Sequence, residues 1–259
     1  MKKLFVLFSF LLFTSSTPPI ILDWSKAEKM EEKEFFLSYP GSGTNWTLSL
    51  LQILAKKPVG NGCDSSYVQK YVTNRLNLPL DYSKTTLYRT HFVHDSLRRI
   101  NPSKNKLLLI VRNYKECHSR ALKFHKKNNS ASNVYTQIAF LDEYLDPLNF
   151  YENWKDSKTK LLIYYEDLIT KPRQTIEKLL TFFDEDTSCL DNFFKKYDYW
   201  REKVLNSYIS QHNYNFSSNG NKKDFHSKDL SVSEKKEMDQ FIKKNYPVIW
   251  KKYLSRYEG

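Results

Sequence analysis

The stretch FLSYPGSGTNW, residues 36–46, decides how the rest of the chain is read. An apolar run, Phe35-Phe36-Leu37, meets a Pro-Gly-Ser-Gly turn. Behind the turn, Thr44-Asn45-Trp46-Thr47-Leu48-Ser49-Leu50-Leu51 has the apolar spacing of a helix. Strand, glycine turn and helix start together aim backbone N–H groups at an anion. A loop made for a nucleoside triphosphate carries Gly-Lys-Ser/Thr, its lysine serving the outer phosphates. Here Gly43 is followed by Thr44 and Asn45, and the turn holds no lysine. The stretch predicts a phosphate site of another kind.

The length of 259 residues suits one sizeable domain with a full core. An apolar content of 40% beside a mixed charged surface argues against disorder. There are only 6 glycines, so two of them within one turn carry more information than usual. The formal charge of +12 implies an anionic partner without choosing among nucleotide, sulfated glycan, nucleic acid and membrane surface. Much of that excess is lysine spread along helical patterns, which reads as solvated surface. The aromatic residues are spaced for core packing rather than as a stacking platform for nucleic acid.

Met1-Lys2-Lys3 is a basic start, Leu4 to Phe13 is apolar except for Ser9, and Thr14-Ser15-Ser16-Thr17 offers small residues for cleavage. These three parts make residues 1–17 a secretory signal peptide, with 18–259 as the functional domain. The apolar run is shorter than the ~20 residues a bilayer span needs. The expected location is secreted or extracytoplasmic; an uncleaved membrane anchor in the secretory pathway and a cytoplasmic protein are the alternatives. Cys63, Cys117 and Cys189 permit one bridge at most, and their spacing matches no zinc site. No metal is expected.

Beyond the leader, strand and helix patterns alternate. Glu34 to Tyr39 reads as a strand and Thr44 to Ala55 as the helix leaving the turn. Thr86 to His91 is a short second strand. Leu107 to Val111, LLLIV, suits a strand buried on both faces. Helices follow over Lys115 to Lys126 and Val134 to Asn153. Lys160 to Glu166, KLLIYYE, is a further strand, and Pro172 then opens a helix with Ile176, Leu179 and Leu180 on one face. The last third is helical, with Ser231 and Glu234 in a capping box. Residues 213–223, NYNFSSNGNKK, read as a loop. The pattern predicts a single α/β domain: a central parallel sheet flanked by helices, a P-loop-like phosphate-binding loop and a helical C-terminal third.

Three of these strands end in polar or aromatic residues suited to a ligand. The first runs into the glycine turn. The strand at 107–111 ends in Arg112, whose planar fork can grip a phosphate. The strand at 160–166 ends in Tyr165-Glu166-Asp167, where a tyrosine can border an adenine ring. Taken singly, each also suits an ordinary ion pair or a core aromatic.

Four segments, SYPGSGTNW, RTHF, LLLIVRNYKE and IYYEDLITKPRQTIEKLLTFF, stand in the order and rough spacing of one family. Over about Glu34 to Phe183 the chain resembles the sulfotransferases that use 3′-phosphoadenosine 5′-phosphosulfate (PAPS). Their first motif reads Tyr-Pro-Lys-Ser-Gly-Thr-Thr-Trp; later ones read Lys-Thr-His and Arg-Asn/Asp-Pro-x-Asp. PAPS carries a sulfuryl group where a triphosphate has its outer phosphates, which answers to a turn without Gly-Lys-Ser/Thr. The resemblance implies that Ser42, Gly43, Thr44, Asn45 and Trp46 cradle the 5′-phosphosulfate, Trp46 lying near the adenine. It implies Arg112 as a 3′-phosphate ligand, Tyr165 beside the adenine, and His91 as the base that takes the acceptor's proton. His94 is the substitute.

The chain departs from that family in two places. Gly41 stands where the family commonly has the lysine that contacts the leaving group; Arg89, Lys115 and the Lys222–Lys223 pair are candidate replacements. The family's serine eight residues after the arginine becomes Arg120, with Ser119 one place early, and Arg120 is favoured as the 3′-phosphate ligand. Lys222 and Lys223, in NGNKK, stand near the family's basic closing loop. The expected enzyme is a sulfotransferase moving a sulfuryl group from PAPS to a hydroxyl or amine of a small-molecule or glycan acceptor. It needs no metal or nucleic-acid partner, and no stable membrane insertion unless the leader is uncleaved. The alternatives are a non-catalytic anion-binding or nucleotide-binding protein on the same fold, and another P-loop nucleotide enzyme such as a small kinase.

Overall fold

The computed structural model describes residues 33–61, 74, 76–93, 95–127, 137–212 and 230–259. The leader, the loop at 213–223 with Lys222 and Lys223, Cys63 and His94 lie outside the described residues.

Five parallel strands form the sheet: β1 (Glu34–Ser38), β2 (Val59–Asn61), β3 (Leu87–Thr90), β4 (Lys106–Val111) and β5 (Lys160–Tyr164). Their spatial order is β2-β3-β1-β4-β5. The chain leaves β1 toward one edge, returns through β3, then crosses over β1 to build β4 and β5. β1 is therefore the switch point, and the crevice beyond its carboxyl end is where an α/β sheet takes its ligand.

Alternation of side chains divides the strands between two cores. Phe35, Leu37, Tyr88, Leu107, Leu109 and Val111 face one cluster, completed by Phe140, Leu141, Tyr144, Leu145, Ile242 and Leu254. Phe36, Leu87, Leu108, Ile110, Leu161 and Ile163 face the other, with Leu50, Leu51, Ile176, Leu179 and Leu180. Both faces of β4 are covered, which explains its unbroken apolar run.

The helices that bear on the site are α1 (Thr44–Ala55), α2 (Asp95–Arg98), α3 (Tyr114–Lys127), α4 (Gln137–Asn153) and α5 (Tyr165–Thr170). After them come α6 (Pro172–Phe182), α7 (Leu190–Phe194), α8 (Tyr197–His212) and α9 (Val232–Asn245). Pro172 is the first residue of α6, where its missing N–H costs nothing. Ser231 and Glu234 close both bonds of the capping box on α9.

Two expectations need correction. The strand read as Lys160 to Glu166 stops at Tyr164, and Tyr165 already begins α5. The Glu166 carboxylate accepts from the backbone N–H of Asn113 and from the Tyr257 hydroxyl, which draws the chain out of the sheet there. The three-residue edge strand β2 was not expected, since its Val-Gly-Asn carries no alternation. At the amino edge of the sheet, the buried Lys57 ammonium pairs with Glu34 at 2.7 Å and Glu185 at 3.4 Å.

Candidate functional site

The carboxyl ends of β1, β3, β4 and β5 bring together four segments far apart in sequence. From β1 the chain enters the turn Pro40-Gly41-Ser42-Gly43. Gly41 and Gly43 both have positive φ, +86° and +97°, a conformation other residues adopt only with strain. Ser42 braces the turn: its N–H and its hydroxyl both donate to the Tyr39 carbonyl, at 3.0 and 2.6 Å. α1 then starts at Thr44 with no capping side chain and no acidic residue in its first turn. Its first N–H groups and the positive end of its dipole are therefore directed at the crevice.

Several hydroxyls expected at the ligand point inward instead. Ser42 is fully buried on Tyr39, and its Oγ lies 4.0 Å from Cys117 Sγ. Thr44 Oγ1 donates to Ser38 Oγ at 2.9 Å. Thr44 thus offers a ligand its backbone N–H rather than its side chain, while both donors of Ser42 are spent on the Tyr39 carbonyl. Trp46 packs edge-on against Tyr197 at 5.9 Å, and its indole N–H is buried with no hydrogen-bond partner among the described residues. Asn45 is half-buried at the start of α1.

His91 follows β3 immediately. Its Nδ1 lies 2.7 Å from the Ser38 carbonyl and 3.3 Å from Ser38 Oγ. A carbonyl only accepts, so Nδ1 carries the proton and Nε2 is the basic nitrogen. The end of β1 thus fixes the tautomer of the histidine leaving β3.

Arg112 leaves β4 almost wholly buried. Its Nε and Nη2 donate to one Glu116 oxygen at 3.0 and 2.7 Å, and Nη1 donates to the Gly41 carbonyl at 3.1 Å. The guanidinium lies 4.2 Å from the centre of the Tyr165 ring. The same ring presses on Gly43, so Tyr165 is wedged between the turn and the arginine.

Arg120, two turns along α3, lies over Gly41, its Cδ 3.4 Å from where a Cβ on that glycine would stand. Burial, and then the charge of Arg112, push the Arg120 guanidinium below its ordinary pKa. Two arginines held this close gain from an anion between or beside them. Ser119 faces the core instead, its hydroxyl donating to the Lys115 carbonyl at 3.1 Å.

Lys115, a candidate for the missing loop cation, is spent elsewhere. Its Nζ reaches Asp239 Oδ1 at 2.9 Å and the carbonyls of Tyr257 and Gly259 at 2.8 and 3.0 Å. Arg89 lies in β3 on the same face as Leu87 by alternation. Cys117 sits below the turn, and burial pushes its thiol up to about 12. It is a packing group, not a nucleophile.

Glu116 and Ser38 are the residues that sequence reasoning missed. The i, i+4 spacing of Arg112 and Glu116 is a signal that could have found the first. Ser38 acts through its backbone carbonyl, which leaves no mark in a sequence. Among the described residues, no group of three metal-ligating side chains converges.

The arrangement suits a nucleotide with anions at two ends. The uncapped start of α1 and the glycine turn suit one anion; buried Arg112 and half-buried Arg120 suit charge beside it; Tyr165 and Trp46 provide aromatic surface close by. That residue set fits adenosine 3′,5′-bisphosphate and its 5′-phosphosulfate.

Comparison with known proteins agrees in kind. Residues 31–257 match the family model described as the sulfotransferase domain. The chain is similar to the 3-alpha-hydroxysteroid sulfotransferase of Cavia porcellus, 24% identical over 170 residues, 59% of this chain and 58% of that protein. It is also similar to sulfotransferase 1 family member D1 of Rattus norvegicus, 25% identical over 201 residues, with 64% and 67% covered. The aligned region thus spans about three-fifths to two-thirds of those relatives' length. Among solved structures, mouse sulfotransferase SULT7A1 complexed with PAP superposes with a TM-score of 0.57 at 18% identity, covering 88% of this chain and 89% of that one. Retinol dehydratase in complex with retinol and PAP gives 0.51 at 16% identity, covering 82% and 80%. These superpositions establish the shared fold.

Proposed function

The chain belongs to the sulfotransferase domain family, and on that premise we propose that it transfers a sulfuryl group from PAPS to a hydroxyl or amine acceptor. The observation that carries the reading is the convergence of an uncapped helix start, one buried and one half-buried arginine and a tautomerically fixed histidine at the carboxyl end of the sheet. PAPS, when bound, supplies the sulfuryl group and, in adenosine 3′,5′-bisphosphate, a stable leaving group.

The chain's own residues have three tasks. His91 Nε2 takes the proton from the acceptor oxygen or nitrogen as that atom bonds to sulfur. The N–H groups at the start of α1 face the 5′-phosphate oxygen that receives the electron pair of the broken S–O bond. Arg112, with Gly41, Glu116 and Tyr165 fixing its plane, answers to the 3′-phosphate, for which Glu116 gives way. Tyr165 and Trp46 border the adenine in this reading, and Lys222 and Lys223 are further candidate ligands by sequence.

The acceptor is a small molecule or a glycan in this proposal, and the leader at 1–17 directs the chain to the secretory pathway. N-terminal sequencing of the protein recovered from its native source tests the leader: a start near residue 18 supports it, and an intact Met1 counts against it.

Thermal shift of the purified protein tests the donor. Adenosine 3′,5′-bisphosphate is compared with AMP and with ATP plus magnesium. A ligand at a hundred times its dissociation constant stabilises by ~2.7 kcal/mol, an easily measured rise in Tm. The bisphosphate should give the largest shift. A larger shift with ATP and magnesium would favour a kinase and overturn the proposal.

A further inference from the structure

The glycine turn has no cation of its own. Residues 39–46 contain neither lysine nor arginine, yet the turn and helix start form an anion site. The charge has to come from another element, and two arginines converge on residue 41, one at its carbonyl and one beside its Cα. Arg112 holds its carbonyl at 3.1 Å, in a guanidinium already bonded twice to Glu116. Arg120 also lies against Gly41, its aliphatic stem in van der Waals reach of the point where a Cβ would stand.

That proximity is specific. A Cβ at position 41 would meet Arg120 Cδ at 3.4 Å and Cβ at 4.0 Å, and the φ of +86° disfavours any side chain there. With glycine at 41, the stem of Arg120 runs beside the turn with no side chain between them. Lys115 is bound to Asp239 and to the carbonyls of Tyr257 and Gly259, so it does not serve the turn. Ser119 faces the core.

We propose that Arg120 is the cation of the glycine turn, reaching over Gly41 to the 5′-phosphosulfate end of the nucleotide rather than to its 3′-phosphate. This rests on the donor reading above and assigns a different end of the donor from the one expected of Arg120 by sequence. The division of labour follows: Arg112, fixed by Glu116, reads the 3′-phosphate, and Arg120 serves the anion common to all adenosine 5′-phosphates. The mutual repulsion of the two guanidinium groups is relieved at both ends when the nucleotide binds.

Two ligands that differ only at the 3′ position separate the roles. Adenosine 3′,5′-bisphosphate and AMP are titrated calorimetrically, AMP by displacement, into the wild-type protein and the variants Arg120→Met, Arg120→Gln and Arg112→Met. Methionine keeps the stem over Gly41 and removes the charge, and glutamine is a second neutral replacement should methionine disturb folding. Loss of a charged hydrogen bond is worth about tenfold or more in affinity. Both Arg120 variants should weaken the two ligands by the same factor, leaving the ratio of their dissociation constants as in wild type. Arg112→Met should weaken the bisphosphate alone and collapse that ratio. If the Arg120 variants weaken only the bisphosphate, or neither ligand, the assignment is overturned while the donor reading stands. If wild type does not bind the bisphosphate, both fall together.

Discussion

The ring of Tyr165 fills the space in which a side chain at position 43 would sit: a Cβ on Gly43 would lie 2.2 Å from Cδ2 of the tyrosine. Residues 122 positions apart thereby fix the shape of the anion-binding turn together. The backbone at Gly43, at φ +97°, is already one that favours glycine. Two independent constraints act on one position.

Gly43→Ala should therefore destabilise the protein by ~1–3 kcal/mol from backbone strain alone, with the steric contact added. Binding of adenosine 3′,5′-bisphosphate should be lost. In a Tyr165→Leu background the same substitution should cost less, because only the φ term remains. Denaturant midpoints for the four proteins of this cycle measure both parts, and equal midpoints for wild type and Gly43→Ala would refute the turn geometry.

His91→Ala removes Nε2, the acceptor nitrogen of the tautomer that the Ser38 carbonyl selects. Turnover should fall by about 10²–10⁴-fold, the usual contribution of a positioned base. The dissociation constant for the bisphosphate should stay within about twofold of wild type, since the imidazole serves the acceptor. Steady-state rates beside calorimetry check the pair of outcomes, and unchanged turnover would remove His91 from the mechanism.

Ser38→Ala leaves the carbonyl that orients His91 but takes away the acceptor of the Thr44 hydroxyl. A buried hydroxyl left without a partner costs ~1–3 kcal/mol. The loss should appear as a lower Tm.

His118 is buried against Phe140, 4.6 Å between ring centres, and neither ring nitrogen has a hydrogen-bond partner among the described residues. Burial lowers its pKa, and Glu234 offsets this only in part. The unfolded chain therefore binds a proton at His118 more readily than the folded one. Stability should be complete above the unfolded pKa of about 6.5 and decline as pH falls below it, by at most ~1.4 kcal/mol per pH unit. His118→Phe, which keeps the ring on Phe140, should show a smaller loss of stability between pH 7 and pH 5 in urea titrations. Equal losses would place the titrating group elsewhere.

The capping box at Ser231 gives a prediction remote from the site. Ser231→Ala removes the oxygen that accepts from the Glu234 N–H at 3.2 Å and should lower stability by about 1 kcal/mol, with nucleotide affinity unchanged.

Much of this molecule was legible in its sequence, for reasons that differ by residue. Thr44–Ala55 was readable end to end because glycine before it and apolar spacing within it are local signals. The run Leu107 to Val111 announced a strand covered on both faces. Tyr165 was legible as a residue at a strand end but not as the start of a helix, because that boundary is set by Glu166 bonding to Asn113, 53 residues away. The inward turn of Ser42 and Thr44 was hidden for the same reason: their partners are a backbone carbonyl and the Ser38 hydroxyl, which no spacing encodes. Arg120 was visible as a departure from a motif, while its place over Gly41 depends on how α3 packs on the turn.

The hold of Lys115 on the carbonyls of Tyr257 and Gly259 has a consequence for the order of folding. The second of these bonds joins residues 144 apart in sequence, and Lys115 stands in the helix that carries Arg120 and directly follows Arg112. Contacts of such separation close late, because the loop entropy is lost before they form. During synthesis the glycine turn and its helix emerge early, yet the anchor of the arginine-bearing helix α3 on residues 257–259 forms only when those residues dock. The sheet should thus assemble first as a frame without its grip, and competence to bind a nucleotide should arrive last. Pulsed hydrogen exchange during refolding would show the amides of α1 protected ahead of those of α3.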